Sequence, residues 1–157
     1  HKDGYLSIFS LNHFTKFVRS FHCETELAIS KVKILNDNST LITFQNDLQN
    51  ETCFVSLFSI NGYFIASVIL DDIVEECILT LFSNGIQSNY AIVLTKRGLL
   101  LVLSMNSLKN KYTIETDVTD IVSLELKDNC ILVATRKNES VLSWNLFKNS
   151  SYFQKLG

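Results

Sequence analysis

The chain has 157 residues, enough for one domain with a core of its own. Hydrophobic residues make up 46% and charged residues 19%, a balance that excludes a disordered tail. The net charge of −2 offers no electrostatic case for nucleic acid.

Proline is absent and glycine is scarce, so the turns fall mainly to Asn, Asp, Ser and Lys. The first residue is His1, and no charged segment followed by an apolar one precedes Tyr5. No signal peptide is therefore visible, and the chain reads as a piece of something longer. Asp3-Gly4 is a turn signal followed by the strand-like YLSIFSLN, and KFVRSF follows a polar break. Next come a turn near Glu24, AISKVKIL, a turn at Asn36-Asp37-Asn38, and TLITFQ. A polar loop leads into CFVSLFSINGYFIASVIL, residues 53–70, in which two apolar segments flank Asn61-Gly62. That pair is a strong hairpin signal and predicts a type I′ turn, since both residues tolerate positive φ. A helix would carry Gly62 in its interior, and a membrane span would need about 20 unbroken apolar residues. After Asp71-Asp72 come IVEECILTLF, a turn at Ser83-Asn84-Gly85, YAIVLT, a turn at Lys96-Arg97-Gly98, and LLLVLSMN. KYTIET, DIVSLELK, CILVATR and SVLSWNLF complete the regular part, and KNSSYFQKLG is weaker. Short apolar strands broken by turn residues every 8–12 positions mean a sandwich, barrel or propeller.

A repeat decides among these. Aligning YLSIFSLN, FVSLFSIN, LLLVLSMN and SVLSWNLF places Phe9, Phe58, Leu103 and Trp144 in one column. Ser10, Ser59, Ser104 and Asn145 follow, then Leu11, Ile60, Met105 and Leu146. Gly4 and Gly98 each stand five residues before the column. A four-strand unit of about 40–45 residues ending in a Trp-Asp-like pair is the WD-repeat pattern. Here the pair has decayed to Trp-Asn, Phe-Ser and Leu-Ser, and no Gly-His signature survives. The expected fold is all-β, a WD-repeat-like β-propeller of about three and a half blades of a larger ring. The blades fall at residues 1–21 (the outer half only), 27–70, 73–116 and 120–157. Phe9, Phe58, Leu103 and Trp144 are read as packing residues, and Asn61 and Gly62 as the turn. Uncovered end faces make association of the isolated chain the expected behaviour.

The stretch Leu57-Phe58-Ser59-Ile60-Asn61-Gly62 with Ala66-Ser67-Val68-Ile69-Leu70 and the acidic turn after it resembles the C-terminal WD-repeat propeller of BEACH-domain proteins. The neurobeachin and LPS-responsive beige-like anchor branch is the nearest in pattern. Asp3-Gly4 resembles the Asp-Gly turn of the preceding blade. Blade order matches over most of residues 3–146, and only residues 57–70 match closely. The turns at Lys96-Arg97-Gly98 and Lys137-Asn138-Glu139 depart from the family's more glycine-rich ones. The resemblance implies a large cytoplasmic scaffold, peripheral on endomembranes and acting in vesicle trafficking, whose propeller binds protein partners.

No enzyme signature is present. His1, His13 and His22 are far apart, and neither a Ser-His-Asp order, an HExxH helix nor a phosphate-binding loop occurs. The one tight acidic cluster, Asp71, Asp72, Glu75 and Glu76, reads as a solvated loop and strand face. No catalytic residue, metal or cofactor is therefore expected. A hydrolase would have to use Asp71 and Asp72, which as neighbours in a strand would point to opposite faces. In a WD-like blade the loop between the fourth strand and the next first strand, and the turn between the second and third strands, share one rim. Asp71 and Asp72, Lys96 and Arg97, and Arg136 and Lys137 fall at such places. Arg97 and Arg136 are the expected contacts to an acidic protein partner, with Asp71 and Asp72 setting orientation. Alternatives are a propeller of an unrelated cytoplasmic scaffold and a secreted or lumenal one. Sequons at Asn38, Asn50, Asn138 and Asn149 compare with about two or three expected by chance in a chain this rich in Asn, Ser and Thr, and argue only weakly for secretion.

Cys23, Cys53, Cys77 and Cys130 form no CxxC pair, and their spacing suits neither zinc nor a disulfide framework. Buried thiols in a reducing compartment are the expectation. Thiol titration of the denatured, unreduced protein should find all four cysteines free; fewer would favour the lumenal alternative.

Overall fold

A computed structural model describes residues 3–11, 16–23, 25–35, 37, 39–83, 87–128, 131–145 and 154–156. The sequence expectations at His1, His13, Asn36, Asn38, Gly85, Cys130, Leu146, Asn149 and Tyr152 lie outside them. The chain divides into two compact units, residues 1–73 and 74–157.

The first unit holds a two-stranded sheet, β1 (Tyr5–Ser10) and β2 (Lys16–His22), and a four-stranded one. The latter runs β3 (Lys31–Ile34), β4 (Thr40–Asp47), β5 (Thr52–Ser59) and β6 (Phe64–Leu70) in spatial order. The second unit holds β7 (Val74–Ser83), β8 (Gln87–Thr95), β9 (Leu99–Ser104) and β10 (Asn110–Glu115) in one sheet. A second sheet is made by β11 (Ile121–Lys127), β12 (Ile131–Arg136), β13 (Val141–Asn145) and β14 (Gln154–Leu156). Each sheet is an antiparallel meander in chain order, as short strands joined by tight turns dictate.

Period-two alternation places the core. In the first unit Leu41, Phe58 and Cys23 are buried together, with Leu6, Ile8, Phe21, Ile29 and Ile60 against them. The rings of Phe21 and Phe58 lie 4.9 Å apart and join the two sheets. In the second unit Ile92, Leu94, Leu100 and Val102 meet Ile121, Leu124, Leu132, Ala134 and Trp144. Both faces of the central strands are buried, since Ile42, Phe44, Val55 and Leu57 are also inaccessible. Each such side chain contributes on the order of 1.5–3 kcal/mol.

The aligned column separates in this packing. Phe58, Leu103 and Trp144 are buried, whereas Phe9 is 52% exposed and lies edge-on to Phe17. The reading of Phe9 as a packed residue is thus corrected. Leu6 and Ile8 turn toward the core, so alternation puts Tyr5 and Phe9 on the other face of a sheet only two strands wide.

The hairpin at Asn61-Gly62 is present, but its turn is not type I′. The Gly62 amide bonds the Ser59 carbonyl at 2.9 Å, and Ser59 N–H bonds Tyr63 O at 2.8 Å. The central residues are therefore Ile60 and Asn61, and Gly62 alone is left-handed, at φ 85°. This is the three-residue hairpin in which a type I turn is followed by a left-handed residue. The extra residue in the apolar run made the difference. Two other turns repeat the design: Gly98 N–H bonds Thr95 O at 3.0 Å and Glu139 N–H bonds Arg136 O at 3.0 Å. Gly98 has φ 82° and Glu139 φ 65°.

Replacing Gly62 by Val should cost about 1–3 kcal/mol, because a β-branched residue would enter positive φ with its Cβ 3.1 Å from the Phe21 ring. Thermal or urea unfolding that matches the parent would contradict the turn. The pair Gly98→Ala and Glu139→Gly should shift stability in opposite directions, down by about 2–4 kcal/mol and up by about 0.5 kcal/mol.

Candidate interaction rim

In both sheets of the second unit the turn between the second and third strands has a left-handed residue, and at Gly98 the chain entering the next sheet crosses beside it. In the second unit that turn is residues 96–98 between β8 and β9, and the crossing segment is residues 116–120. Thr116 N–H donates to Gly98 O at 3.1 Å, and the Thr116 hydroxyl lies 2.7 Å from the same oxygen and 2.9 Å from Val118 O. A Cβ at Gly98 would stand 2.0 Å from Val118 O, so glycine is required for this approach. The segment then reaches the turn between β12 and β13. Lys137 N–H donates to Asp120 O at 2.9 Å, and Arg136 Nε donates to Asp120 Oδ1 at 2.8 Å. One short loop thus ties two neighbouring turns together. Asn138 supports the second turn by accepting from Ser140 N–H and its hydroxyl at 3.1 and 2.6 Å.

The first unit repeats the crossing with other side chains. Cys23 N–H donates to Gly4 O at 2.8 Å, and a Cβ on Gly4 would stand 2.2 Å from Thr25 O. The clamp here is Gln45 on β4, fully buried, whose Nε2 donates to Thr25 O at 2.9 Å and Leu27 O at 2.6 Å.

Of the residues expected to form a partner surface, Lys96, Arg97 and Lys137 are exposed and share the neighbourhood of residues 116–120. Arg136 is half-buried and its guanidinium is engaged by Asp120, which the sequence reading missed. Asp71 and Asp72 belong to the other unit. Asp71 is exposed, but Asp72 is buried, with Oδ1 accepting from Ile73 N–H at 2.8 Å. Its carboxylate shapes the chain at the end of β6. Asp117 and Glu139 are exposed on the same turns and loop as the cations. The surface is therefore of mixed charge, with Asp117 and Glu139 as the acids beside these cations. Asp120 and Thr116 carried a weak signal only, the polar run Thr-Asp-Val-Thr-Asp between two strands.

Among the described residues no group of His, Cys, Asp and Glu could hold a metal ion, and no helix is long and apolar enough to cross a membrane. Cys23, Cys53 and Cys77 are buried. His22 is exposed, with Nε2 2.8 Å from Asp3 O.

No family model matches this sequence, and no curated protein does. Solved structures do. Sqt1 from Chaetomium thermophilum, a WD40-repeat protein, is similar over 99% of this chain and 41% of its own, with a TM-score of 0.67 and 16% identity. Hydrazine synthase of Kuenenia stuttgartiensis is similar over 92% of this chain and 47% of its own, with a TM-score of 0.59 and 13% identity. The chain spans less than half the length of each. At these identities the likeness shows the fold alone: an all-β chain with the sheets of a partial β-propeller.

The Asp120 carboxyl is held below its ordinary 3.8, first by the hydrogen bond from Arg136, against desolvation, and then by the charges of Arg136 and Lys137. A depressed folded value contributes stability that is complete above 3.8 and is lost as pH falls through the lower folded value. Asp120→Asn should flatten part of the acid limb in unfolding midpoints measured downward from about pH 5. Asp37 and Asp47, lowered foremost by their bonds from Ser39 and Asn50, should contribute to the slope that remains. An unchanged limb would show that the Arg136–Asp120 pair does not form.

Proposed function

We propose that this chain is a non-catalytic protein-interaction module, part of the WD-type propeller of a membrane-trafficking scaffold of BEACH type. The observation that carries the interaction reading is the pair of turns held against residues 116–120, which fixes exposed Lys96, Arg97 and Lys137 on backbone that cannot easily move. Rigid scaffolding of loop side chains lowers the entropy cost of binding. Arg136 is engaged by Asp120, and exposed Lys96, Arg97 and Lys137 are the cations assigned to the partner contact. Asp117 and Glu139 beside them favour a partner that itself carries both signs. Asp71 is exposed and Asp72 internal, and both belong to the first unit.

The BEACH context rests on the resemblance of residues 57–70 and is the finer part of the proposal. A cytoplasmic location, peripheral on endomembranes through the parent protein, is what that resemblance implies. No cofactor, metal or nucleic acid enters this reading.

The test is charge reversal at Arg97 and Lys137 in the intact parent, with Arg136→Glu as a separate variant. Loss of one protein partner from the first variant, with folding unchanged and stronger effects at low salt, is the expected result. Retention of every native partner at low and moderate salt would eliminate the rim as the site.

A further inference from the structure

We propose that Asn61 is a site of spontaneous deamidation, and that Arg19 on the neighbouring sheet sets its rate in the folded protein. An asparagine followed by glycine is the pair most open to this reaction, because glycine has no Cβ to screen its nitrogen. The Gly62 nitrogen attacks Asn61 Cγ. The N–Cγ bond forms, the Cγ–Nδ2 bond breaks, and the Gly62 amide proton leaves with Nδ2 as ammonia. One water from solvent then opens the succinimide at either carbonyl, leaving aspartate or isoaspartate. Asn61 is exposed, so water reaches it.

The fold holds the reacting peptide away from this geometry. Asn61 O and Gly62 N belong to one planar peptide unit, and that unit is fixed at both ends. Arg19 Nη1 donates to Asn61 O at 2.5 Å, and Gly62 N–H donates to Ser59 O at 2.9 Å. Asn61 is the second central residue of the type I turn, where ψ is about 0°. Closing the five-membered ring turns the whole peptide plane about ψ, to bring Gly62 N beside Asn61 Cγ. That rotation breaks both hydrogen bonds at once. The bond from the guanidinium is charge-assisted and is the stronger of the two. Phe21 adds to the restraint, since its ring lies 3.1 Å from where a Cβ of Gly62 would stand. Arg19 and Phe21 are two residues apart on β2, so alternation presents both to the turn. The guanidinium also draws electrons from this peptide and acidifies the Gly62 N–H, which works in the opposite sense. The restraint dominates, because a nucleophile held out of reach gains nothing from acidity.

Incubation of the 157-residue chain at neutral pH, folded and in denaturant, followed by peptide mass spectrometry tests this. Deamidation at Asn61 should be at least about tenfold slower in the folded chain than in the unfolded one. Asn84-Gly85 is the same pair and should react at a similar rate in the unfolded chain. Arg19→Ala should speed the folded-state reaction by about three- to tenfold, and Arg19→Gln, which keeps a neutral donor, by less. Lys16→Ala on the same strand should leave the rate unchanged. Hydrogen-exchange protection at Leu57, inside β5, should stay as in the parent, which confines the effect to the turn. Equal rates in the folded and unfolded chains would overturn the proposal. So would an Arg19→Ala variant that reacts no faster than the parent, or more slowly, as acidification alone would give. An acceleration matched by an equal loss of protection at Leu57 would be general unfolding and would equally overturn the role of Arg19.

Discussion

The close approach of one backbone to another at a left-handed turn residue is the constraint on which the described architecture depends. At Gly4 and Gly98 a Cβ would stand 2.2 and 2.0 Å from a carbonyl oxygen of the segment crossing to the next sheet. No side chain could be accommodated without moving backbone. That closeness lets Cys23 and Thr116 place their amides on the two glycine carbonyls. From Thr116 the chain reaches Asp120, and from Asp120 it reaches Arg136 and Lys137. Sheet spacing, loop path and surface charge in the second unit follow from one backbone conformation.

Much of the fold was legible because strands alternate and turns are polar. The column through Phe58, Leu103 and Trp144 marked buried positions, since a repeat must bury the same site in each copy. Phe9 broke the rule because burial needs a neighbouring sheet as well as an apolar side chain. Turn chemistry was read less well. Glycine occupies the left-handed position at Gly4, Gly62 and Gly98, but Glu51 and Glu139 hold it in turns without glycine, and Leu108 holds it while buried. Sequence preference there is overridden by the hydrogen bonds that close the turn, at a cost of about 1–2 kcal/mol each. Asn61-Gly62 was misassigned because the same pair suits a two-residue and a three-residue loop, and only pairing of Ser59 with Tyr63 distinguishes them.

The candidate rim was legible as loops and illegible as partners. Lys96, Arg97 and Lys137 stand out in the sequence as basic residues in turns, and the structure places them in exposed turns. Asp120 does not stand out, because its bond to Arg136 joins residues sixteen apart in different elements. The apparent pair Asp71-Asp72 splits into one exposed and one buried carboxylate, a distinction set by the local path of the chain. Such a surface suits protein recognition through mixed charges.

Amide hydrogen exchange tests the central claim most directly, at Cys23 and Thr116. Both amides lie beyond the ends of their strands and bond to Gly4 O and Gly98 O. The account predicts protection comparable to amides inside β4 and β8, opening only with the sheets themselves. Exchange at the rate of exposed loop amides would contradict it, since the crossing segments would then not be locked to the turns.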